Sequence, residues 1–536
     1  MKTSPSSNSF TYSITLFVVT FVYVLCVTRA TATVDNLIVT THSGKLKGLR
    51  RAAGGAEFLG IPYAQAPVGK LRWREPLPVK PWTGIREATQ FGSPCAQPIL
   101  GEWNKHESET SKEDCLFLNV ITPAWPAKTR LPVMVWIHGG VNTGGSGSSS
   151  LYKDGTLVQH GVILVTINYR LGVFGFFAHP GLTDESPHHS SGNYGLMDQI
   201  AALRWVQNNI ARFGGDPKNV TLFGQSAGGQ DASLLMTSPQ ARGLFHRAIV
   251  QSGSAINPPC PTLVDSEQTG QTLASTLKAP TGEATINYLR QLPVQELMKS
   301  TALQDPTQPP ILGPNVDGWV ITTSPTKVFF EKRQARIPLI IGTTTREFGF
   351  PAPADQVRKF IENVTGNLSV PALSLYGLSD NGEGVNDPVY GSAGDQWFAD
   401  LLFRCPVTTQ AAWHSTIHQL TYQYEFAHTI PGQGDAVHAS ELPYVFGFHP
   451  KLGNTSGNFV EADDKLADLI ETYWTNFAKN GNPNSGAVPA WPEFIASHSF
   501  IRFTQTGRVT ISSEMRRPQC DLLREVLMRT VNKGPK

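Results

Sequence analysis

The chain has 536 residues, of which 40% are hydrophobic and 10% aromatic, so it can bury a large core and is neither fibrous nor disordered. Its 44 basic and 42 acidic residues nearly cancel, and no long run of lysine or arginine occurs. This charge pattern excludes nucleic acid as an expected partner.

The first 32 residues differ in composition from the rest. A polar stretch that begins at Lys2 precedes the largely apolar run ITLFVVTFVYVLCV, and RATA offers a cleavage site ending at Ala32. This order predicts a secretory signal peptide over 1–32, and therefore a secreted protein, extracellular or periplasmic. An uncleaved anchor is the alternative, but the run is shorter than the roughly 20 residues of a spanning helix. No later segment is long and apolar enough, so we expect no membrane span in the mature chain.

The next segments predict strands and one long helix. NLIVTTHSGKLKG and AEFLGIPYAQ indicate short strands of an antiparallel entry to a sheet. The apolar runs LPVMVWIHGG (131–140) and GVILVTINYR (161–170) are typical of strands covered on both faces. Residues 193–213 then predict an amphipathic helix lying on the sheet. Its apolar positions at helical spacing are Leu196, Ile200, Leu203, Val206 and Ile210.

The remaining pattern predicts an α/β architecture. Short apolar strands ending at glycine recur at RAIVQSG (247–253) and IPLIIGTT (337–344), and helical stretches dominate most of 255–335 and 350–480. SFIRFTQTGRVTISS indicates a hairpin before a terminal helix from Gln519. Alternating strands and helices favour a large mixed, mostly parallel sheet flanked by helices, with functional residues at the carboxyl ends of its strands. No repeat or linker marks a boundary, so we expect one domain over 33–536.

Ser226 lies in FGQSAGG, between the predicted strand NVTLFG and a helix start. Gly224 and Gly228, two residues to each side, allow a sharp strand-to-helix turn that lifts the serine oxygen clear of the sheet. A serine hydroxyl is a weak nucleophile at neutral pH, so acyl transfer needs a base and a group that orients the base.

His438 is the predicted base, because it follows the strand LTYQYEF on a glycine-rich loop late in the chain. His428 is nearer that strand, and we expect it to pack. Glu347 is the predicted acid, because it lies just past IPLIIGTT. Its alternative is a solvated loop carboxylate paired with Arg346. Four other carboxylates follow no strand signal: Asp380, Asp387, Asp395 and Asp400.

The negative charge of an ester-cleavage transition state needs backbone N–H donors. IHGG at 137–140 brings Gly139 and Gly140 to the end of a strand, and the N–H of Ala227 completes the predicted oxyanion hole. A plain glycine turn is the alternative for IHGG.

Five cysteines remain after removal of the signal peptide, which predicts two disulfides and one free thiol. None forms a C-x-x-C pair. His414 and His418 stand four residues apart on a predicted helix without a nearby ligand cluster, so we interpret them as surface or packing residues. We expect neither a metal nor another cofactor.

These segments together resemble the type-B carboxylesterase/cholinesterase family of the α/β-hydrolase superfamily. The motifs that carry the resemblance occur in family order from about residue 36 to about residue 525: FLGIPYAQAPVGKLRW, EDCLFLNV, VMVWIHGG, INYRLGVFGF, NYGLMDQIAALRWVQNNIARFGGDPKNVTLFGQSAGG and RAIVQSGS. The resemblance implies an α/β-hydrolase fold whose helical insertions form an active-site gorge. It also implies hydrolysis of small-molecule carboxylic esters through an acyl-enzyme, with Ser226, Glu347 and His438 as nucleophile, acid and base.

The resemblance further implies disulfides between Cys95 and Cys115 and between Cys405 and Cys520, which leaves Cys260 unpaired. Two positions depart from the family pattern. Gln225 replaces the usual glutamate before the nucleophile, which disfavours a cationic alcohol group. Val141 replaces the third glycine of the oxyanion loop, where a β-branched residue is strained if φ is positive.

Two alternatives to a general secreted carboxylesterase stay open. Some members of the family are adhesion proteins that have lost the serine, but this chain keeps serine, glutamate and histidine. The other alternative is a specialised esterase of bulky natural esters of the feruloyl, tannin or mycotoxin type. Trp103, Phe348 and Phe350 are candidate wall residues of the substrate site.

Overall fold

The computed structural model describes residues 37–153, 155–256, 258–299, 312–379, 382–448, 459–495, 497–505 and 507–532. The predicted signal peptide over 1–32 lies outside these ranges. The strands are β1 (Ile38–Thr40), β2 (Lys45–Lys47), β3 (Leu49–Arg50), β4 (Ala56–Pro62), β5 (Ile85–Glu87), β6 (Phe117–Thr122), β7 (Leu131–Ile137), β8 (Ile163–Ile167), β9 (Gly215–Gln225), β10 (Arg247–Gln251), β11 (Leu339–Thr344), β12 (Thr421–Phe426), β13 (Ser499–Phe503) and β14 (Val509–Ser513).

The helices lie between and after these strands. They are α1 (Lys105–Thr110), α2 (Ser150–Lys153), α3 (Gly172–Phe176), α4 (Pro180–Glu185), α5 (Tyr194–Asn209), α6 (Ala227–Leu235), α7 (Leu263–Thr276), α8 (Ala284–Gln291), α9 (Val294–Lys299), α10 (Pro325–Phe330), α11 (Ala354–Thr365), α12 (Ser369–Leu375), α13 (Ala393–Ala399), α14 (Cys405–Ser415), α15 (Leu442–Val445), α16 (Glu461–Asn480) and α17 (Arg517–Asn532). None of the helices in the described ranges is long and apolar enough to cross a membrane.

An 11-stranded sheet organises the chain, in the order β14-β13-β12-β11-β10-β9-β7-β8-β6-β4-β3. The strands from β13 through β8 in this order run parallel, and antiparallel pairs close both edges. The predicted mixed, mostly parallel sheet is therefore confirmed. The antiparallel entry is also present, since β1 pairs with β2 in a separate three-stranded sheet and β3 pairs with β4 in the large one.

Both faces of the central strands are covered. Along β7, Val135 belongs to one apolar cluster and Trp136 to another, because successive strand residues point to opposite faces. Strands covered on both faces carry apolar side chains at nearly every position, which explains the largely apolar runs of β7 and β8.

The helix α5 differs from its prediction in one respect. Its apolar positions are buried as expected, but Asp198 and Gln199 on the predicted polar face are buried as well. Asp198 accepts hydrogen bonds from the side chain of buried Arg170 at 2.7 and 2.8 Å. Elements on both sides of α5 cover it, so periodicity predicted the helix but not its surroundings.

The structure contains the two disulfides that the resemblance implies, Cys95–Cys115 and Cys405–Cys520. Cys260 is the free cysteine among the described residues. The terminal hairpin is confirmed as the antiparallel pair β13–β14, and the helix after it begins at Arg517 rather than Gln519.

Candidate active site

Ser226 lies on the turn that joins β9 to α6. Its backbone has φ +57° and ψ −127°, outside the regions that side chains ordinarily adopt. Gly228 is required at this turn, because a Cβ there would lie 2.1 Å from the carbonyl oxygen of Ile137 on β7. The sharp strand-to-helix turn predicted from FGQSAGG is therefore present at the carboxyl end of a central strand, and Ser226 is half-buried there.

Glu347 lies after β11, two strands from β9, and its side chain is 1% exposed. Its Oε1 accepts hydrogen bonds from Ser252 Oγ at 2.7 Å and from the Thr344 backbone N–H at 3.0 Å. Its Oε2 is 2.5 Å from His438 Nδ1. Arg346 pairs with Asp435 instead, so Glu347 is not the solvated, Arg346-paired carboxylate of the alternative interpretation.

His438 lies on the loop after β12, and its backbone N–H donates to the Glu347 carbonyl at 2.7 Å. Its Nε2 is 3.1 Å from Gln225 Nε2. Because an amide nitrogen only donates, His438 Nε2 accepts this hydrogen bond and its ring proton is on Nδ1, facing Glu347. This is the tautomer that a base for a serine hydroxyl requires.

Within the described part of the chain, Ser226 Oγ makes no hydrogen bond. Gln225 occupies the side of His438 Nε2 that a serine hydroxyl would approach. Hydrogen bonds between nucleophile and base are often long or misaligned without substrate and tighten in the complex.

The loop after β7 passes directly over Ser226. A Cβ at Gly139 would lie 2.9 Å from Ser226 Cβ, so only glycine fits there. Gly140 has φ +112°, and the following Val141 and Asn142 both have φ +56°. Ala227 is the first residue of α6, so its N–H belongs to the unpaired end of that helix. The backbone of Gly139, Gly140 and Ala227 thus meets around the serine, and Val141 is strained as anticipated.

The three aromatic residues predicted to line the substrate site lie in different places. Phe348 lies beside the site, with its ring 4.2 Å from the His438 ring. Trp103 covers the oxyanion loop, 3.0 Å from the place of a Cβ at Gly140. Phe350 packs against Phe360 and Phe398 and has no ring contact with His438 among the described residues, so its place in the wall stays a prediction.

Three residues near the site had not been recognised from the sequence. Ser252 follows β10 in the quoted motif RAIVQSGS, a signal that could have found it. Phe403, in the π-helical turn Asp400–Arg404, lies 5.2 Å from the His438 ring and has no local signal. Glu441 is 1% exposed, and burial together with the charge of Glu347 raises its pKa to about 7.

The competing carboxylates serve other purposes. Asp387 accepts hydrogen bonds from the Val389 and Tyr390 backbone, Asp395 caps α13, and Asp400 binds Arg404 and Arg516. Asp380 lies outside the described residues.

The competing histidines are also placed elsewhere. His428 packs as predicted, 2.8 Å from Asp463. His414 is buried in α14, where burial lowers its pKa to about 4. His418 is exposed beyond the end of α14, so the two do not share a helix as the spacing predicted.

Comparisons with known proteins identify the family and the fold of the chain. The family model described as "Carboxylesterase family" matches residues 35–523. A fumonisin B1 esterase of Sphingopyxis macrogoltabida is 36% identical over 489 residues, covering 88% of this chain and 87% of that protein. A cocaine esterase of Homo sapiens is 34% identical over 506 residues, covering 87% of each. Among solved structures, a PNB esterase superposes with a TM-score of 0.76 at 34% identity, covering 91% of this chain and 100% of the other.

Proposed function

Because the chain belongs to the carboxylesterase family, has an α/β-hydrolase fold and is a carboxylic ester hydrolase, we propose that Ser226, His438 and Glu347 are its nucleophile, base and orienting acid. The observation that carries this proposal is the 2.5 Å contact between Glu347 and His438 Nδ1. Gln225, the residue before the strained Ser226, donates a hydrogen bond to His438 Nε2, so the basic lone pair of the ring is on Nε2. The substrate is a small-molecule ester, as the family implies.

The mechanism begins when Ser226 Oγ attacks the ester carbonyl carbon and its proton passes to His438 Nε2. Glu347 stabilises the imidazolium without itself becoming protonated. The carbonyl oxygen becomes negative and accepts hydrogen bonds from the N–H groups of the loop at Gly139 and Gly140 and of Ala227. Collapse breaks the bond to the alcohol, which leaves with the proton from His438. Water then attacks the acyl-enzyme by the same proton route and releases the acid.

The surroundings favour an apolar, uncharged ester. Three large apolar residues at the oxyanion loop and the base are exposed to solvent and available to a substrate. They are Trp103, Val141 and Phe348, which are 57%, 50% and 46% exposed. Gln225 offers no charge to a cationic alcohol group. These rings and methyl groups favour a bulky ester as the specialised form of the proposal. The relative named fumonisin B1 esterase is a reason to include mycotoxin esters among the substrates tested.

We also propose that the protein is secreted. Two disulfides suit an oxidising compartment. If the signal peptide is cleaved after Ala32, mass spectrometry of the protein from its own host will find an N-terminus at Thr33. A retained Met1 with secretion absent would contradict this.

The test of the catalytic roles is hydrolysis of a short-to-long series of p-nitrophenyl esters. We expect Ser226→Ala to fall to background and His438→Ala and Glu347→Gln to lose at least about 10³-fold in kcat. Ser238→Ala is the matched control, because its buried hydroxyl has no partner in the described structure and lies outside the site. A fluorophosphonate that labels any residue other than Ser226, or full activity in Ser226→Ala, would overturn the assignment.

A further inference from the structure

The oxyanion loop contains a costly backbone conformation. Val141 and Asn142 are consecutive residues with φ +56°, and neither is glycine. A left-handed conformation costs ordinary residues roughly 1–2 kcal/mol each, although asparagine tolerates it better than valine. Other contacts must hold the loop in this shape.

Asn142 supplies these contacts, since it is only 3% exposed and its side chain is enclosed by other residues. Its Nδ2 donates to Asp231 Oδ1 at 3.0 Å, and its Oδ1 accepts from the Tyr169 hydroxyl at 3.0 Å. The same hydroxyl lies 2.8 Å from the His138 carbonyl oxygen, at the start of the loop. Asn142 is therefore bound on both sides of its amide.

Asp231 is on α6, the helix that begins directly after Ser226. Its carboxyl is fully buried, and its Oδ2 accepts from Gln199 Nε2 at 2.6 Å. Within the described residues no lysine or arginine pairs with it, and the ionisable groups near it are Tyr169 and Cys260. Burial raises the pKa of Asp231 to about 7, against the effect of its two hydrogen bonds. A carboxyl buried without a cation costs stability, so its position needs a compensating role.

We propose that Asp231 and Asn142 form a positioning pair that joins the oxyanion loop to the nucleophile's own helix. This inference rests on the proposed function, since it assigns the loop to transition-state stabilisation. One end of the hole, Ala227, is fixed by α6, and the pair fixes the other end to the same helix. The pair thereby sets the distance between the two sets of N–H donors, and it holds Val141 in its strained conformation.

The chemistry of the pair allows an exchange experiment. In Asn142→Asp, two carboxyl groups face each other and neither supplies an amide donor. In Asp231→Asn, the single amide oxygen at position 231 replaces the two carboxylate oxygens that accept from Asn142 and Gln199. The double variant Asn142→Asp/Asp231→Asn exchanges the two groups, so that the amide now on α6 can donate to the carboxylate now on the loop, while Tyr169 and Gln199 keep acceptors. We expect each single variant to lose about 10²-fold in kcat on a p-nitrophenyl ester with KM little changed. The double variant should recover to within about tenfold of the wild type.

A second measurement separates positioning from general stability. Affinity for an aryl trifluoromethyl ketone, whose adduct carries the oxyanion, should fall in parallel with kcat. Tyr169→Phe removes the hydroxyl that contacts Asn142 Oδ1 and the His138 carbonyl but removes no charge. It therefore provides a milder variant if the single variants do not fold, and we expect a five- to tenfold loss in kcat. Asp317→Asn is the matched control, a buried carboxyl that binds the Trp319–Ile321 backbone instead.

The outcomes are distinct. The positioning pair would be overturned if the folded single variants, or Tyr169→Phe, kept a kcat within twofold of the wild type. It would also be overturned if the folded double variant had a kcat no higher than that of the single variants. Ester hydrolysis that is absent from the wild type, or that survives Ser226→Ala, would instead overturn the proposed function.

Discussion

Glu441 is a second buried carboxyl beside the proposed acid. Its Oε1 accepts from Gln251 Nε2 at 3.1 Å, while its Oε2 has no hydrogen-bond partner within the described residues. Burial and the charge of Glu347 raise its pKa from 4.5 to about 7. The folded protein therefore favours the neutral form, and ionising Glu441 at higher pH costs about 3 kcal/mol of stability.

We expect Glu441→Gln to stabilise the protein in a pH-dependent way. In the wild type, the loss of stability caused by ionising Glu441 is absent below pH 4.5, grows as the pH rises to 7 and is complete above pH 7. The thermal midpoint of the variant should therefore rise relative to the wild type between about pH 5 and about pH 8. The exposed Glu362→Gln is the control and should show no such trend. A difference that is constant across this pH range would show that Glu441 titrates normally.

At the residue scale, the sequence predicted what depends on position along a strand. Ser226, Glu347 and the loop of Gly139 each follow a strand directly, so the order of elements places them at one edge. The contacts of Gln225 with His438 and of Asn142 with Asp231 join residues 213 and 89 positions apart. Hydrogen bonds over such separations depend on side-chain packing and leave no local pattern.

The turn between β9 and α6 is the element on which the proposed chemistry depends. We expect Gly228→Ala to lower kcat/KM by at least about 10²-fold, because a displacement of about 1 Å at the nucleophile has that effect. The added methyl group would meet the Ile137 carbonyl at 2.1 Å and push α6 away from β7. Gly486→Ala, at an exposed position with open space around it, is the control. Activity close to the wild type in Gly228→Ala would mean that the turn yields without moving Ser226.

Helices and strands were predictable from the sequence where the spacing of apolar residues follows a single pattern. The runs of β7 and β8 and the spacing of α5 identified each element, but the same spacing suggested a solvated polar face for α5. The buried Asp198–Arg170 pair covers that face, and an ion pair between two elements does not alter the periodicity of either. The end of α14 before His418 was missed for a similar reason, because His418 itself has φ +56° and no glycine marks the stop.

At the scale of the whole molecule, the two disulfides close very different loops. Cys405–Cys520 spans 115 residues and joins α14 to α17, whereas Cys95–Cys115 spans 20. Loop-closure entropy assigns about 5 kcal/mol to the first and about 3 kcal/mol to the second. The short loop, however, carries Trp103, which lies over Gly140.

These differences predict opposite effects of removing each bond. Cys405→Ala/Cys520→Ala should lower the thermal midpoint more, while kcat/KM at about 25 °C stays within a few-fold of the wild type. Cys95→Ala/Cys115→Ala should lower the midpoint less but reduce kcat/KM on apolar esters, because the loop that holds Trp103 against Gly140 loses its closure. Thermal unfolding and ester hydrolysis on the same preparations would measure both effects. If the short-loop variant kept its activity, Trp103 would be held by the hydrogen bonds that Asn104 Oδ1 accepts from the Leu100 and Gly101 N–H groups rather than by the disulfide.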